Sequence, residues 1–476
     1  MTTRRATTSA DTSPPSTPAT SAPWAVLQEH VRGDVLLPAA PGYDEARALW
    51  NAMIDKRPAA IVRCTGVADV LATLRFARER DIPLAVRAGG HNVAGTALRD
   101  DGLVLDLSRM KGIRVDPVAR TVRLQPGILN GDLDHETQAF GLAVTSGIAS
   151  TTGLSGLTLG GGIGWLMRAF GLTCDNLRAA DVVTADGAFI TASEEEHPDL
   201  FWALRGGGGN FGVVTSFTFD LHPLGPTVLA GAILYPASAA GEVLRFYRDY
   251  IEGVPNALGT IVLLRYAPEV PWIPAAHWRQ PVVAILACYA GDIAAGAEVL
   301  RPLKAFGSPI ADIIEPKPYT LHQRMFDASA PPGLRYYWKS HYLGGLSDDA
   351  IDTLLARAWR TSSLRSYTII GRMGGAVGRV DASATAFAHR DAQHVLNING
   401  VWTEPAEDEV HVEWTRDLFT AMEPFSTGGV YVNFLGNEGE DRVRAAYGAN
   451  YDRLVEVKRR YDPDNVFNSN QNIVPG

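Results

Sequence analysis

The motif Arg-Ala-Gly-Gly-His-Asn at residues 87–92 combines a nucleophilic side chain with a backbone that a ligand can approach closely. Gly89 and Gly90 allow a sharp turn, and the N–H groups of such a turn can cradle a pyrophosphate. The imidazole of His91 follows at once and is a nucleophile within reach of whatever the turn holds. From these residues alone, a glycine-rich surface turn with an exposed histidine is an equally good interpretation.

Two further regions are rich in glycine. Residues 146–165 mix glycines with apolar and hydroxyl residues, which indicates backbone lying against a flat or phosphorylated ligand; close helix–sheet packing is the alternative. Residues 206–212 contain G-x-G-x-x-G at Gly207, Gly209 and Gly212. A Rossmann site is rejected because that motif must follow a strand and open a helix. Here a predicted helix precedes the glycines and a predicted strand follows them.

The elements that position the first motif form a β–α–β unit. Residues 59–62 and 84–86 are predicted strands, and the apolar spacing at 67–80 predicts an amphipathic helix between them. From about residue 226, strand-like runs (228–234, 282–289, 368–373, 395–402) alternate with helix-like ones (238–251, 293–305, 347–359). This alternation predicts an α+β domain with a sheet backed by helices. Residues 430–435 are predicted to form a late strand, followed by a helix over about 442–461.

The composition of the chain excludes several classes of function. The chain has 476 residues and a formal net charge of -9, which argues against nucleic acid as a partner. Its three cysteines, Cys64, Cys174 and Cys288, are far apart, so no disulfide framework or metal site is expected and a cytoplasmic location is predicted. Residues 1–23 are predicted to be a disordered tail. No apolar run is long enough to cross a membrane.

Four segments occur in a characteristic order: residues 87–92, 147–165, 199–215 and 461–472. Together they closely resemble the berberine bridge enzyme-like and nicotine oxidase branch of the vanillyl-alcohol-oxidase type flavoproteins, over a match from about residue 55 to the end. The resemblance implies an α+β fold with an FAD-binding domain made of two pieces, 24–225 and 428–476. It also implies an inserted α+β substrate-binding domain over 226–427.

The resemblance further implies FAD, bonded through the His91 imidazole to the 8α carbon of the flavin. Such a bond tethers the cofactor and makes it a stronger oxidant. Many relatives add a second bond through a cysteine; Ala149 stands at that position, so a single covalent linkage is predicted. The residues predicted to bind the cofactor are Arg87, Ala88, Gly89, Gly90, His91, Asn92, Ser146, Gly147, Thr151, Thr152, Gly153, Gly156, Gly161, Gly162, Gly164, Trp165, Asn210, Gly212, Val214, Asn470 and Asn472.

The implied reaction is that of an oxidase. A small-molecule alcohol, sugar, amine or secondary metabolite gives a hydride to flavin N5, and O₂ takes the electrons and becomes H₂O₂. The family's tyrosine base falls on Tyr431, and Asn433 is predicted to share its strand face. Tyr431 could instead only hydrogen-bond the flavin edge. Val395 and Met373 stand where some relatives carry a catalytic glutamate or tyrosine, so neither of those bases is expected.

Asn397, Asn399 and Trp338 are predicted to contact the substrate. Trp338 belongs to an aromatic run at 336–338 that could equally be sheet core. An oxidative cyclase and a flavin-retaining binding protein without turnover are the alternative functions.

Overall fold

The computed structural model describes residues 22–361 and 363–476. The predicted disordered tail, residues 1–23, falls mainly on residues 1–21, which lie outside the described residues, and its last two residues belong to a helix that spans Ala22–His30. The helices are α1 (Ala22–His30), α2 (Tyr43–Arg47), α3 (Val67–Glu79), α4 (Asn130–Gln138), α5 (Leu154–Leu159), α6 (Met167–Phe170), α7 (Pro198–Leu204), α8 (Ala240–Glu252), α9 (Ile293–Ala305), α10 (Tyr319–Gln323), α11 (Asp348–Leu355), α12 (Asp408–Met422), α13 (Glu440–Tyr447) and α14 (Tyr451–Tyr461).

The strands form two small sheets, one large sheet and a two-stranded ribbon. They are β1 (Asp34–Leu36), β2 (Ala60–Arg63), β3 (Leu84–Arg87), β4 (Leu103–Asp106), β5 (Ile113–Asp116), β6 (Thr121–Leu124), β7 (Leu142–Ala143), β8 (Leu177–Val183), β9 (Phe189–Ser193), β10 (Val213–Asp220), β11 (His222–Pro223), β12 (Thr227–Pro236), β13 (Leu258–Tyr266), β14 (Pro281–Tyr289), β15 (Ala311–Asp312), β16 (Glu315–Pro318), β17 (Arg335–Leu343), β18 (Tyr367–Arg372) and β19 (His394–Trp402).

The first sheet has the order β1-β2-β4-β3. The predicted β–α–β unit is β2, α3 and β3, and both of its strands run parallel to β4, which lies between them. The apolar face of α3, with Val70 and Leu74, packs on this sheet. Because β3 ends at Arg87, the Gly-Gly-His turn leaves the sheet at its carboxyl edge, where α/β folds bind ligands.

The second sheet is antiparallel, with the order β5-β6-β10-β8-β9. Its core joins distant parts of the chain, since Phe201 and Phe211 pack in the same cluster as Leu454 and Ile473. The C-terminal segment therefore folds onto the first part of the chain. The domain boundaries at residues 225 and 428 stay predictions.

The third sheet has eight antiparallel strands in the order β15-β12-β14-β13-β18-β19-β17, with β16 beside β12. Helices α8, α9, α11 and α12 cover one face, where Ile370 packs against Tyr247 and Leu418. Ile369, the preceding residue on β18, faces the other way and packs with Trp165. This second face meets the first part of the chain. The mixed helices and sheets confirm the predicted α+β class.

Two elements near the C-terminus differ from prediction. Residues 430–435 do not form a strand, because Val432–Phe434 make a tight 3₁₀ turn in which the Phe434 N–H donates to the Tyr431 carbonyl at 2.9 Å. An apolar run of this length fits a buried turn as well as a strand, and its periodicity cannot separate them. The predicted helix over 442–461 is interrupted at Gly448, whose φ of +52° ends α13 before α14 begins.

Candidate active site

A cavity lies between the first part of the chain and the face of the eight-stranded sheet that the helices leave uncovered. All three glycine-rich regions, the C-terminal tail and the sheet contribute to its wall. The predicted site residues that line it are Ala88, Gly89, Gly90, His91, Asn92, Gly147, Thr152, Gly153, Gly156, Gly164, Trp165, Asn210, Gly212, Val214, Trp338, Asn397, Asn399, Tyr431, Asn433 and Asn470. Those outside the wall are Arg87, Ser146, Thr151, Gly161, Gly162 and Asn472.

The turn after β3 requires its glycines. Gly90 has a φ of +66°, in the left-handed region. A Cβ on Gly89 would lie 2.5 Å from the Cα of Gly153, so the first two glycine-rich regions touch through their backbones. Close backbone contact, rather than surface exposure, explains this part of the motif.

His91 is held by aromatic stacking. Its ring stacks on Trp50 with centroids 4.2 Å apart, and Trp50 stacks in turn on Tyr336 at 3.6 Å. The Nε2 atom of His91 is buried and has no hydrogen-bond partner within the described part of the chain. Loss of solvation lowers the pKa of His91 to about 4. The imidazole is therefore neutral at pH 7 and keeps a lone pair for bonding.

Four of the six predicted residues outside the wall contact other parts of the chain. Arg87 donates to the carbonyls of Ala46 and Ala48. Ser146 accepts from Gln323 Nε2 at 2.8 Å. A Cβ at Gly161 would meet Phe387, and one at Gly162 would meet Thr173. The buried Thr151 Oγ1 and Asn472 Oδ1 find no hydrogen-bond partner among residues 22–361 and 363–476.

The third glycine-rich region and the C-terminal tail meet at another part of the cavity. Asn470 Nδ2 donates to the carbonyls of Gly209 and Phe467, both at 3.0 Å. Asn210 Nδ2 donates to the Gly207 carbonyl at 2.9 Å. These bonds use the backbone oxygens of the glycine segment, and the Gly207 and Gly208 N–H groups donate to the carbonyls of Ala203 and Leu159, both at 2.8 Å.

A buried ion pair joins these two segments. Lys458 Nζ lies 2.6 Å from Asp462 Oδ2 and donates to the carbonyls of Asn210 at 2.8 Å and Phe467 at 3.0 Å. Asp462 also accepts from the Val466 N–H at 2.7 Å. Both charged side chains are completely buried. The cation thus fixes the glycine segment against the tail.

Replacing Lys458 with methionine is expected to lower the free energy of unfolding by about 3–5 kcal/mol, because Asp462 keeps a buried charge without its cation. Lys111→Met is the matched control: Lys111 pairs with Asp132 at 3.4 Å on the surface, and such a pair contributes about 0–1 kcal/mol. Urea denaturation followed by tryptophan fluorescence measures both. Equal losses in the two variants would contradict the assigned role of Lys458.

Tyr431 carries three hydrogen bonds on its phenol oxygen. The N–H groups of Gly162 and Ile163 donate at 3.0 and 3.3 Å, and Asn433 Nδ2 donates at 2.9 Å. Burial nevertheless raises the pKa of Tyr431 to about 12. Asn433 meets Tyr431 because of the 3₁₀ turn, and not through the predicted shared strand face. Three donors around one oxygen favour the phenolate when it forms.

The sheet side of the cavity is polar where substrate contacts are predicted. Asn399 lies opposite Trp338 on neighbouring strands, and its Nδ2 donates to the Asn397 carbonyl at 3.0 Å. Asn397 Oδ1 and Trp338 Nε1 are buried without a partner in the described residues. Trp338 is thus both sheet core and cavity wall. Val395 also lines the cavity, whereas Met373 does not, although it is buried in the same cluster as Val395.

Sequence reasoning missed two arginines in the wall, Arg168 and Arg372, and the aromatic Tyr367. The run Leu-Met-Arg-Ala-Phe at 166–170 contains a charge within an apolar segment, which is a signal for a buried cation. Arg372 has no comparable signal, because an arginine that ends a strand is usually at the surface.

The residues present fit an FAD on two observations. The neutral His91 offers an imidazole nitrogen with no partner in the described chain. Gly156 and Gly209 line the cavity, and a Cβ on either would meet no protein atom within 4 Å, which leaves the space beside their backbones for a ligand. None of the three buried cysteines lines the cavity, whereas Ala149 does. No cluster of metal-binding side chains occurs among the described residues.

The fold and this cavity define a flavoprotein whose cofactor site is shared by distant parts of one chain. Residues 58–193 match the FAD binding domain family, and residues 430–474 match the family described as berberine and berberine like. The chain is 33% identical to an FAD-linked oxidoreductase of Dictyostelium discoideum, covering 94% of this chain and 96% of the relative. The chain therefore belongs to the berberine bridge enzyme-like family of FAD-linked oxidases.

Two further comparisons involve nicotine oxidases. The chain is 31% identical to (R)-6-hydroxynicotine oxidase of Paenarthrobacter nicotinovorans, covering 94% of this chain and 97% of the relative. The crystal structure of 6-hydroxy-D-nicotine oxidase from Arthrobacter nicotinovorans superposes with a TM-score of 0.85 at 29% identity, covering 94% and 98% of the two chains. These matches confirm the resemblance predicted from the four segments. Within residues 22–361 and 363–476, no helix is both long and apolar enough to cross a membrane.

Proposed function

We propose that this enzyme oxidises a small molecule with O₂ as electron acceptor, using an FAD held by one covalent bond to His91. The observation that supports this most is that a single cavity joins the neutral imidazole of His91, the phenol of Tyr431 and the polar sheet face. When bound, FAD accepts a hydride from a substrate C–H bond at N5 and passes two electrons to O₂, giving H₂O₂.

His91 would hold the flavin ring. Its orientation is fixed by the stack on Trp50, whose own Nε1 donates to the Ala330 carbonyl at 2.9 Å. The backbones of Gly89, Gly153 and Gly209 would hold the phosphate and adenosine portions. Ala149 offers no thiol, so the linkage proposed is single.

Tyr431 is the proposed acceptor of the substrate's O–H or N–H proton. It must first be a phenolate, and the N–H groups of Gly162 and Ile163 together with Asn433 stabilise that charge. Asn433 is therefore a positioning residue for Tyr431. A phenol that only hydrogen-bonds the flavin edge is the alternative role.

The substrate classes proposed are an alcohol, a sugar, an amine or a secondary metabolite. Asn397 and Asn399 present amides to the cavity, and Trp338 and Tyr367 add flat aromatic surface. Such a wall suits a molecule with both polar groups and an apolar ring. One relative's name specifies hydroxynicotine, which is an amine with a flat ring. A cytoplasmic location stays a prediction.

A panel of alcohols, sugars and amines tests the proposal. At least one compound should bleach the flavin without oxygen and, in air, give one H₂O₂ for each O₂ consumed. Mixing chemically reduced holoenzyme with O₂ measures separately the rate at which the reduced flavin passes its electrons to O₂. A cyclase would yield a ring-closed product by mass spectrometry. If no compound bleaches the flavin, the binding protein without turnover becomes the better interpretation.

A further inference from the structure

Two buried arginines lie at the cavity wall and have no role in the function proposed above. Arg168 belongs to α6 and is 4% exposed; Arg372 ends β18 and is 6% exposed. Both line the cavity beside Thr260, Gly371 and Val395. A Cβ on Gly371 would lie 3.1 Å from a methyl carbon of Val395, so the glycine keeps this part of the wall open.

Three buried guanidinium nitrogens, two on Arg168 and one on Arg372, have no hydrogen-bond partner in the described part of the chain. Arg168 Nη2 reaches Asn256 Oδ1 at 3.4 Å, but its Nε and Nη1 are buried with no partner in the described part of the chain. Arg372 reaches His394 Nε2 at 3.4 Å, while its Nε likewise finds no acceptor among the described residues. Buried donors without acceptors are costly, so a ligand with acceptor oxygens would bind favourably here.

The local charge is positive. Arg372 Nη2 pairs with Glu252 Oε1 at 3.1 Å, and the Glu252 side chain is 64% exposed. Burial, and then the charge of Arg372, lower the pKa of Arg168. Loss of solvation and the two arginines hold the pKa of His394 at about 3, so His394 is neutral. Two guanidinium ions against one carboxylate leave a single net positive charge.

We infer that Arg168 and Arg372 form a subsite for a carboxylate group carried by the substrate. A planar guanidinium matches the two oxygens of a carboxylate, and several donors are available here. One net positive charge balances a monoanion such as a carboxylate better than a phosphate dianion. The inference rests on the proposed function, since it assigns flavin and substrate to the same cavity.

Titration of the holoenzyme with benzoate and with neutral benzamide, read as a change in the flavin absorption spectrum, tests the subsite. Wild type should bind benzoate roughly 10- to 100-fold more tightly than benzamide. Arg372→Met and Arg168→Met should each remove most of this preference, with a smaller effect on benzamide, because its neutral carbonyl also accepts hydrogen bonds but carries no charge. Arg245→Met, which alters a half-exposed arginine on α8 paired with Asp352, should keep the full preference.

Equal binding of benzoate and benzamide by wild type would overturn the inference, whatever the variants do. So would a methionine variant that keeps the preference for benzoate. If a methionine variant loses its flavin or its melting transition, Arg372→Lys replaces it and should show a smaller loss of preference. A failure of the proposed function is distinguishable, because it would abolish peroxide release while the wild-type preference for benzoate persisted.

Discussion

Replacing His91 with alanine is expected to abolish covalent retention of FAD. Acid-precipitated wild type should give a yellow pellet, whereas His91→Ala should give a colourless pellet with all flavin in the supernatant. The reason is structural: the His91 imidazole lies in the cavity wall, stacked on Trp50, and none of the three cysteines reaches that wall. Absorption of the redissolved pellet measures the covalent fraction directly.

The protonation of His91 adds a pH dependence to this prediction. Its pKa of about 4 lies below the ordinary value, so the imidazole is neutral throughout the neutral range and protonates only as the pH falls towards 4. Attachment of FAD to apoprotein should therefore proceed at the same rate at pH 6 and pH 8. It should slow below about pH 5, because the protonated ring has no lone pair. The fraction of flavin that stays in acid-precipitated pellets, sampled over time, gives the rate of covalent attachment.

His135→Ala is the matched control for these experiments, since the His135 side chain is 80% exposed on α4. It should leave the yellow pellet unchanged. Proteolysis of the wild-type pellet should release one flavin-bearing peptide, containing His91. A yellow pellet in His91→Ala, or a flavin-bearing peptide without His91, would show that another residue forms the bond.

Much of the cavity wall could be predicted from the sequence, because glycines occur where the backbone must approach another segment closely or leave space. Gly89 and Gly153 are required where two backbones meet, and Gly209 where the cavity needs space, so each motif can be recognised in its own segment. Strands and helices with clear periodicity, such as α3 and α8, are also predicted close to their observed ends. That the segments converge on one cavity follows from the family resemblance, not from the motifs themselves.

Other features depend on packing between distant segments and could not be predicted. Arg168 and Arg372 come together only because α6 lies against the large sheet. Residues 430–435 form a turn because their apolar side chains fill the junction between the sheets, where Val432 and Leu435 join one core and Phe434 another. The hydrophobic periodicity of one segment gives no information about its contacts with distant segments.

Replacing Tyr431 with phenylalanine is expected to slow flavin reduction by about 10²- to 10⁴-fold, the usual contribution of a positioned acid or base. FAD should remain bound, because His91 is untouched. With a pKa of about 12, the phenol of Tyr431 is almost fully protonated at pH 7, and its phenolate becomes more abundant as the pH rises. The wild-type rate should therefore increase with pH across the neutral and alkaline range, and the variant should lose this dependence. Anaerobic stopped-flow bleaching with the most active compound of the panel measures both.

Tyr447→Phe is the control that distinguishes the proton-accepting role of Tyr431 from the general effect of removing a buried hydroxyl from the cavity wall. Tyr447 also lines the cavity and is 1% exposed, but its hydroxyl donates to the Gly207 carbonyl of the third glycine-rich region at 3.1 Å. It should reduce the flavin at nearly the wild-type rate with the same pH profile. If Tyr431→Phe changes only the flavin spectrum and the KM and keeps the rise with pH, then Tyr431 orients the ring and another group takes the proton.

Asn433→Ala tests the hydrogen bonds to the Tyr431 phenol oxygen. Loss of one of the three donors should make the phenolate harder to form and shift the rise in rate to higher pH.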